Sequence, residues 1–349
     1  MKNIILKNGD VVTEYNHAEQ YFAEAYNSYI EPIALGLLNP IRTSIKSEMK
    51  LIRGFLPTDQ IIIAARSGIG KTSRVIKLID DIFNDELNGS YHGKIIVCYD
   101  SWEISGWRNA IKFMSLDERM TYSEILDWDN RLQQDKLNQL KNSIPKFKGK
   151  HFYISEFPNT VSQWANNKIE LQRKFPEYLI VNIIDHARLI TNENRLTEEA
   201  LLHNFMKATI KQRKQTGQIN IILSQMNRNI EYAADRKNIG NNLPMASDLF
   251  GSDSIFQSSD FVIALHRPGY YNLAEFSYDN YLYQTGYPDN DNLMLEVVLK
   301  NRNGESGIVF LEHLLKYNDF KDIDISKIRR ENPNSLTSSF NTDNIKDKW

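Results

Sequence analysis

The chain has 349 residues, 41% of them hydrophobic and 25% charged, with a formal net charge of −2 and one cysteine, Cys98. That length allows one large or two small domains whose core needs no disulfides, and a lone cysteine inside an apolar run fits a reducing, intracellular (cytoplasmic) setting. Near-neutral charge excludes a monomer that coats nucleic acid with its whole surface; no apolar run is long enough to span a bilayer, and Met1-Lys2-Asn3-Ile4 opens no sustained apolar stretch of signal-peptide type, so nothing here predicts secretion.

In chain order, residues 1–50 read as an N-terminal appendage. A strand-like piece at Ile4, Ile5 and Leu6 leads to the turn signal Asn8-Gly9-Asp10, and a helix is predicted from about His17 to Tyr29. From Leu51 to Leu315 apolar runs alternate with helical patterns, which predicts an α/β fold with a largely parallel sheet. The runs are Ile61–Ala65, Ile95–Tyr99, Phe152–Ile154, Leu179–Ile184, Ile219–Leu223 and Phe261–Leu265. Their unbroken hydrophobicity suits strands covered on both faces by helices. Leu293–Leu299 and Ile308–Leu311 flank Asn303-Gly304 and read as a C-terminal hairpin. The ATPase-like part is taken as 51–329. The stretch 330–349, rich in Asn, Ser, Asp and Lys, is predicted to be a disordered tail.

The chemistry starts after the first strand. Ala65-Arg66-Ser67-Gly68-Ile69-Gly70-Lys71-Thr72-Ser73 fits the phosphate-loop pattern G-x-x-x-x-G-K-[ST], with Ala65 in place of the first glycine. Glycines let successive backbone N–H groups turn toward phosphate oxygens, Lys71 supplies charge to the β- and γ-phosphates, and Thr72 offers a hydroxyl to Mg²⁺. A helix opens directly behind, with its positive end toward the anion and Val75, Ile76, Ile79, Ile82 and Phe83 as its buried stripe. The chain therefore binds a nucleoside triphosphate.

Tyr178-Leu-Ile-Val-Asn-Ile-Ile-Asp185 is an apolar strand ending in a carboxylate, the Walker B arrangement, which would set Asp185 beside Thr72 on Mg²⁺. Glu103 follows Ile95–Tyr99 closely enough to polarise an attacking water; Asp100 is a rival, and Glu103 could equally be an acid opening the next helix. Gln225 ends Ile219–Leu223, where a neutral amide can sense the γ-phosphate. The long polar loop behind it carries Arg228, Arg236 and Lys237 and is of a kind that is often functional, although a plain solvated loop fits as well. Lys300 and Arg302, at alternate positions before the hairpin turn, are either a charged hairpin end or cations reaching a neighbouring subunit's nucleotide.

Taken in order, these segments resemble the ATPase domain of DnaB-type replicative helicases over residues 33–315. Ile61 through Thr72 is similar to that family's phosphate-loop strand, with its Ala-Ala-Arg opening. Asp100-Ser-Trp-Glu103-Ile is similar to Ser-Leu-Glu-Met, and Ile184-Asp185-His-Ala-Arg-Leu-Ile to Ile-Asp-Tyr-Leu-Gln-Leu. Ser224-Gln225-Met-Asn-Arg228 matches Ser-Gln-Leu-Asn-Arg, and Lys300-Asn-Arg302-Asn-Gly304-Glu-Ser-Gly307 matches Lys-Gln-Arg-Asn-Gly-Pro-Thr-Gly. The resemblance implies a RecA-like core, a homohexameric ring, ATP and Mg²⁺ between subunits, Glu103 as base, Lys300 and Arg302 acting in trans, and single-stranded DNA through the channel. The alternatives are a recombination-type DNA-dependent ATPase without processive unwinding, and a scaffolding ring ATPase with no DNA role. Two departures stand out. The 50 residues before the core are too few for the family's helical N-terminal domain, which leaves primase binding open and would suit a compact, virus-type replisome. The arginine of the family's Ser-Asp-Leu-Arg is replaced by Phe250, for which Arg228, Arg236 or Lys237 could compensate. His186 is taken as packing and not as a metal ligand.

Overall fold

The computed structural model describes residues 2–5, 11–15, 18–227, 230, 243–279 and 281–331. A nine-stranded sheet organises the molecule, in the order β13-β12-β11-β8-β3-β7-β6-β4-β5. Its parallel part comprises β3 (Gln60–Ala65), β4 (Ile95–Ser101), β5 (His151–Ser155), β6 (Leu179–Asp185), β7 (Ile219–Gln225) and β8 (Phe261–His266). These are the six apolar runs read from the sequence. The antiparallel flank comprises β11 (Leu293–Asn301), β12 (Gly307–Leu314) and β13 (Asp319–Asp322); β11 and β12 form the expected hairpin.

Alternation along each strand splits the core in two. Ile61, Ile63 and Ala65 of β3 join Ile221 and Leu223 of β7 on one face, against the helix Lys71–Ile82. Ile62, Ala64 and Ile222 face the other way, toward Trp164 of the helix Val161–Lys174 and Phe205 of the helix Glu198–Thr216. β5 departs from the two-sided expectation. It is the sheet edge, and Tyr153 and Ile154 are exposed.

Asn182, a polar residue amid the apolar run of β6, sits in a buried amide network. Its Nδ2 donates to Gln218 Oε1 (2.8 Å) and Asn220 Oδ1 (3.0 Å), and Asn220 donates in turn to Gln212 Oε1 (2.9 Å). Buried amides are tolerated where they bond one another, and here the NH₂ of Asn182 is bonded twice while its Oδ1 has no hydrogen-bond partner among the described residues.

Residues ahead of β3 pack onto the same core. Ile41 pairs with Phe55 as an isolated bridge, and Ile41, Ile45 and Ile52 are buried. The helix Lys46–Ile52 is capped from β13, where the Asp322 carboxylate accepts from the N–H groups of Lys46 (2.7 Å) and Ser47 (2.8 Å). Further upstream, β1 (Lys2–Ile5) pairs antiparallel with β2 (Val11–Tyr15), and the predicted helix runs Ala18–Ala25, continues as a π-helical turn Tyr26–Ile30, and buries no residue. A small second sheet, not anticipated from the sequence, joins β9 (Glu275–Tyr278), β10 (Tyr281–Gln284) and β14 (Arg329–Glu331). Residues 332–349 of the expected tail lie outside the described residues.

The phosphate-loop helix is anchored by charge. Arg74, almost wholly buried, bonds Glu48 Oε2 (2.7 Å) from the helix Lys46–Ile52 and Glu296 Oε1 (2.6 Å) from β11. Two buried carboxylates share one guanidinium. Burial pushes the Glu48 carboxyl up to about 7, against the pull of Arg74. Arg74→Met would leave both carboxylates without their cation, a loss of about 3–5 kcal/mol, read as a lowered chemical-denaturation midpoint. A carboxyl raised in the folded state binds protons there that the unfolded chain releases, so its contribution is present at acid pH and lost as pH rises through about 7. Glu48→Gln should accordingly flatten the fall in stability between about pH 5 and 8; an unchanged slope would count against it.

Candidate nucleotide site

Parallel strands deliver their C-terminal ends to one edge, and the candidate residues leave from those ends. Registers Ala65↔Gln225 and Ser101↔Asp185 set the ends of β3, β7, β4 and β6 side by side. The cleft they form, about 280 Å³, is lined by Ser67, Gly68, Gly70, Lys71, Thr72, Ser73, Glu103, Lys112, Asp185, His186 and Gln225, with Ile104 at its rim.

The loop needs its glycines. Gly68 has φ +80° and Gly70 φ +121°, both outside the range comfortable for a side chain. A Cβ on Gly70 would also lie 2.7 Å from Leu315 Cδ2. Ile69 is buried in the core and staples the loop down. Arg66 turns from the cleft and donates from Nη1 to Met226 O (3.1 Å), while Ala65 offers its carbonyl to the Lys71 ammonium (3.0 Å). Of the nine residues 65–73, then, Ala65, Arg66 and Ile69 do not line the cleft. Ser73 does, and its hydroxyl donates to Asn318 Oδ1 (2.8 Å).

Thr72 Oγ1 donates to Asp185 Oδ2 (3.2 Å), and so does Tyr99 Oη (3.1 Å). Burial raises the Asp185 carboxyl, against the opposing effect of the Tyr99 bond. Burial likewise lowers the Lys71 ammonium, with Asp185 and Glu103 drawing it back up. Glu103 is exposed at the cleft. Asp100 points to the opposite face, where Trp164 Nε1 donates to it (2.9 Å) and Lys168 pairs with it (3.1 Å). Asp100 lies within β4 and is held on that face, whereas Glu103 lies past the strand's end, and of the two only Glu103 reaches the cleft. His186, read as packing, is half-buried and lines the cleft, and burial lowers its imidazole. No group of three or more His, Cys, Asp or Glu that could hold a metal occurs among the described residues.

Lys112 escaped the sequence reading. It lies on the helix Gly106–Glu118, and burial lowers its ammonium while Asp185 and Glu103 pull it up. A lysine one helix beyond Glu103 belongs to no spacing rule that could have flagged it. Lys300 and Arg302 are not in this cleft. Lys300 Nζ donates to Phe256 O, and Arg302 donates to Gln257 O (3.0 Å) and to Asp260 Oδ1 (3.1 Å). Asp260 N donates to Gln60 O (2.8 Å), at the start of β3, whereas the phosphate loop leaves its end, roughly 17 Å away at ~3.3 Å per residue. Arg228, Arg236 and Lys237 lie outside the described residues.

A phosphate loop on the central strand, a strand-end carboxylate facing its threonine and an acid one strand over define a RecA-like P-loop ATPase. Residues 41–322 match the family described as DnaB-like helicase C terminal domain. The chain belongs to that family. It is 24% identical over 295 residues to the replicative DNA helicase DnaB of Geobacillus stearothermophilus, covering 83% of this chain and 58% of that one. A probable replicative DNA helicase of Trieres chinensis is 26% identical over 330 residues, 91% of this chain and 64% of its own length. The chain thus spans about three fifths of these relatives. Among solved structures, an ATPase domain covers 89% of the chain with a TM-score of 0.72 at 19% identity. A DnaB-like replicative helicase, solved with its interactions with primase, covers 90% at 0.70 and 18%.

Gly70→Ala is expected to abolish nucleotide binding in a fluorescent-nucleotide titration. Adding Leu315→Ala removes the contact and leaves φ unchanged, so it should not restore binding; recovery in the double variant would make contact, not backbone, the constraint.

Proposed function

We propose that this chain is the ATPase motor of a replicative DNA helicase, a subunit of a homohexameric ring that hydrolyses ATP between subunits and moves along single-stranded DNA. The observation that carries this reading is a divided site. One edge of the sheet gathers Lys71, Thr72, Glu103, Asp185 and Gln225, while Lys300 and Arg302 stand near the opposite edge, held by Asp260. A second copy must present those cations for the cleft to be closed. Lys71 neutralises the β- and γ-phosphates, Glu103 accepts the proton of the water that attacks the γ-phosphorus, and Gln225 donates to the γ-phosphate. Arg302 of the neighbour then meets the charge that develops as the bridging P–O bond breaks.

Thr72 and Asp185 suit Mg²⁺. They offer a hydroxyl and a carboxylate 3.2 Å apart, hard oxygens that leave the other positions to phosphate and water. Bound there, the ion would offset charge on the β- and γ-oxygens. We assign the DNA contacts to Arg228, Arg236 and Lys237, and take primase as a candidate partner because a similar helicase was solved with its primase interactions. We take 51–329 as the motor unit, 1–50 as a preceding segment and 330–349 as a tail; the packing of Ile41, Ile45 and Ile52 supports extending the unit to about residue 41. We place the work in the cytoplasm. No helix among the described residues is long and apolar enough to cross a membrane.

Glu103→Gln should bind ATP normally and turn over about 10²–10⁴-fold more slowly in a phosphate-release assay; a near-normal rate would pass the base role to another group. Arg302→Ala and Lys71→Ala should each be inactive. Mixed, they should regain DNA-stimulated ATP hydrolysis at intermediate ratios, since some interfaces then carry both intact halves. Activity of Arg302→Ala alone would remove the trans assignment.

A further inference from the structure

Arg188 lies on the short 3-10 turn Ala187–Leu189, three residues beyond Asp185, and the sequence reading gave it no role. Its guanidinium is held on three sides. Nε and Nη2 pair with the Glu198 carboxylate, Nη2 at 2.8 Å from Oε2; the Phe250 ring lies 4.2 Å beneath; and Nη1 donates to Gln225 Oε1 at 3.3 Å. Phe250 is itself tied to the same strand end, because its N–H donates to Gln225 O (3.2 Å).

A guanidinium has donors only, so the end of an amide that faces it must be the oxygen. The Gln225 NH₂ is thereby left as the end available to the cleft. We infer that Arg188, clamped between Glu198 and Phe250, is the positioning residue that fixes Gln225 as a hydrogen-bond donor toward the γ-phosphate. This rests on the ATPase reading above. Unclamped, the amide is free to flip, and half its orientations would set an acceptor against phosphate oxygen.

The clamp also accounts for Phe250. The resembling family pattern has glutamine where Arg188 stands and arginine where Phe250 stands. Arginine at both positions would bring two guanidiniums together, whereas a phenyl ring gives Arg188 an attractive face. The two departures are one change made in two places.

The test is a double-variant cycle on the full chain, reading kcat and KM for ATP with single-stranded DNA, and Lys71→Ala as the blank. Arg188→Gln and Phe250→Arg should each lower kcat roughly tenfold, with KM for ATP changed less than about twofold, because a donor aimed at the γ-phosphate matters most as charge develops there. The double variant should be faster than the product of the two losses. Glu198→Gln, at a half-exposed position, should lower kcat in the same direction. A kcat within about twofold of the parent in Arg188→Gln, or strictly multiplicative losses, would overturn the inference. Turnover surviving in Lys71→Ala would instead overturn the ATPase reading beneath it.

Discussion

Four parallel strands end in register, and the chemistry of the cleft depends on that alignment. β3, β4, β6 and β7 are adjacent or nearly so, and each runs into its polar residues at the same sheet edge. Lys71, Glu103, Asp185 and Gln225 are far apart in sequence and converge only because the hydrogen-bond register leaves no freedom to slip. A shift by one residue would turn every core side chain to the opposite face. Core packing therefore enforces the geometry of the site.

Much of this was legible before the structure. The phosphate loop, the Asp185 strand end and Gln225 could be read because the chemistry demands particular residue types at particular strand ends. Glu103 and Asp100 could not be separated by residue type; the fold separates them, tying Asp100 in β4 to Trp164 and Lys168 while Glu103, past the strand's end, lines the cleft. What stayed hidden involved partners distant in sequence. The sheet of β9, β10 and β14 pairs Tyr281–Tyr283 with Arg329–Glu331, across strands too short to announce themselves. Arg74 pairs with residues 26 positions before and 222 after it. Lys112 and Arg188 acquire significance only from what surrounds them.

The Arg74 network links, within one subunit, the two regions that the proposed reading takes as halves of one site. Arg74 sits one turn into the phosphate-loop helix, and Glu296 sits on β11, the strand that carries Lys300 and leads into Arg302. A displacement of the loop helix bears on the strand carrying the cations through a buried, charge-assisted contact. Such contacts are costly to break once one partner is removed.

Asp260 does the matching work at the other end. It accepts from Gln60 N–H (2.9 Å), from Arg302 and from Arg213, so the start of the central strand, the helix Glu198–Thr216 and the outward-facing Arg302 meet on one carboxylate. Arg302 remains half-exposed there, its side chain 51% accessible. A guanidinium held from Nη1 by Asp260 and from Nη2 by the Gln257 carbonyl, yet half accessible, is pre-oriented, and less of its side-chain entropy remains to be lost on meeting an anion. The same chain also turns a lysine, a threonine and two acids toward the cleft at the far end of the sheet. On the proposed reading these are complementary halves of one site, and identical copies would join them head to tail. Such a heterologous contact closes into a ring when the rotation between copies divides the circle evenly.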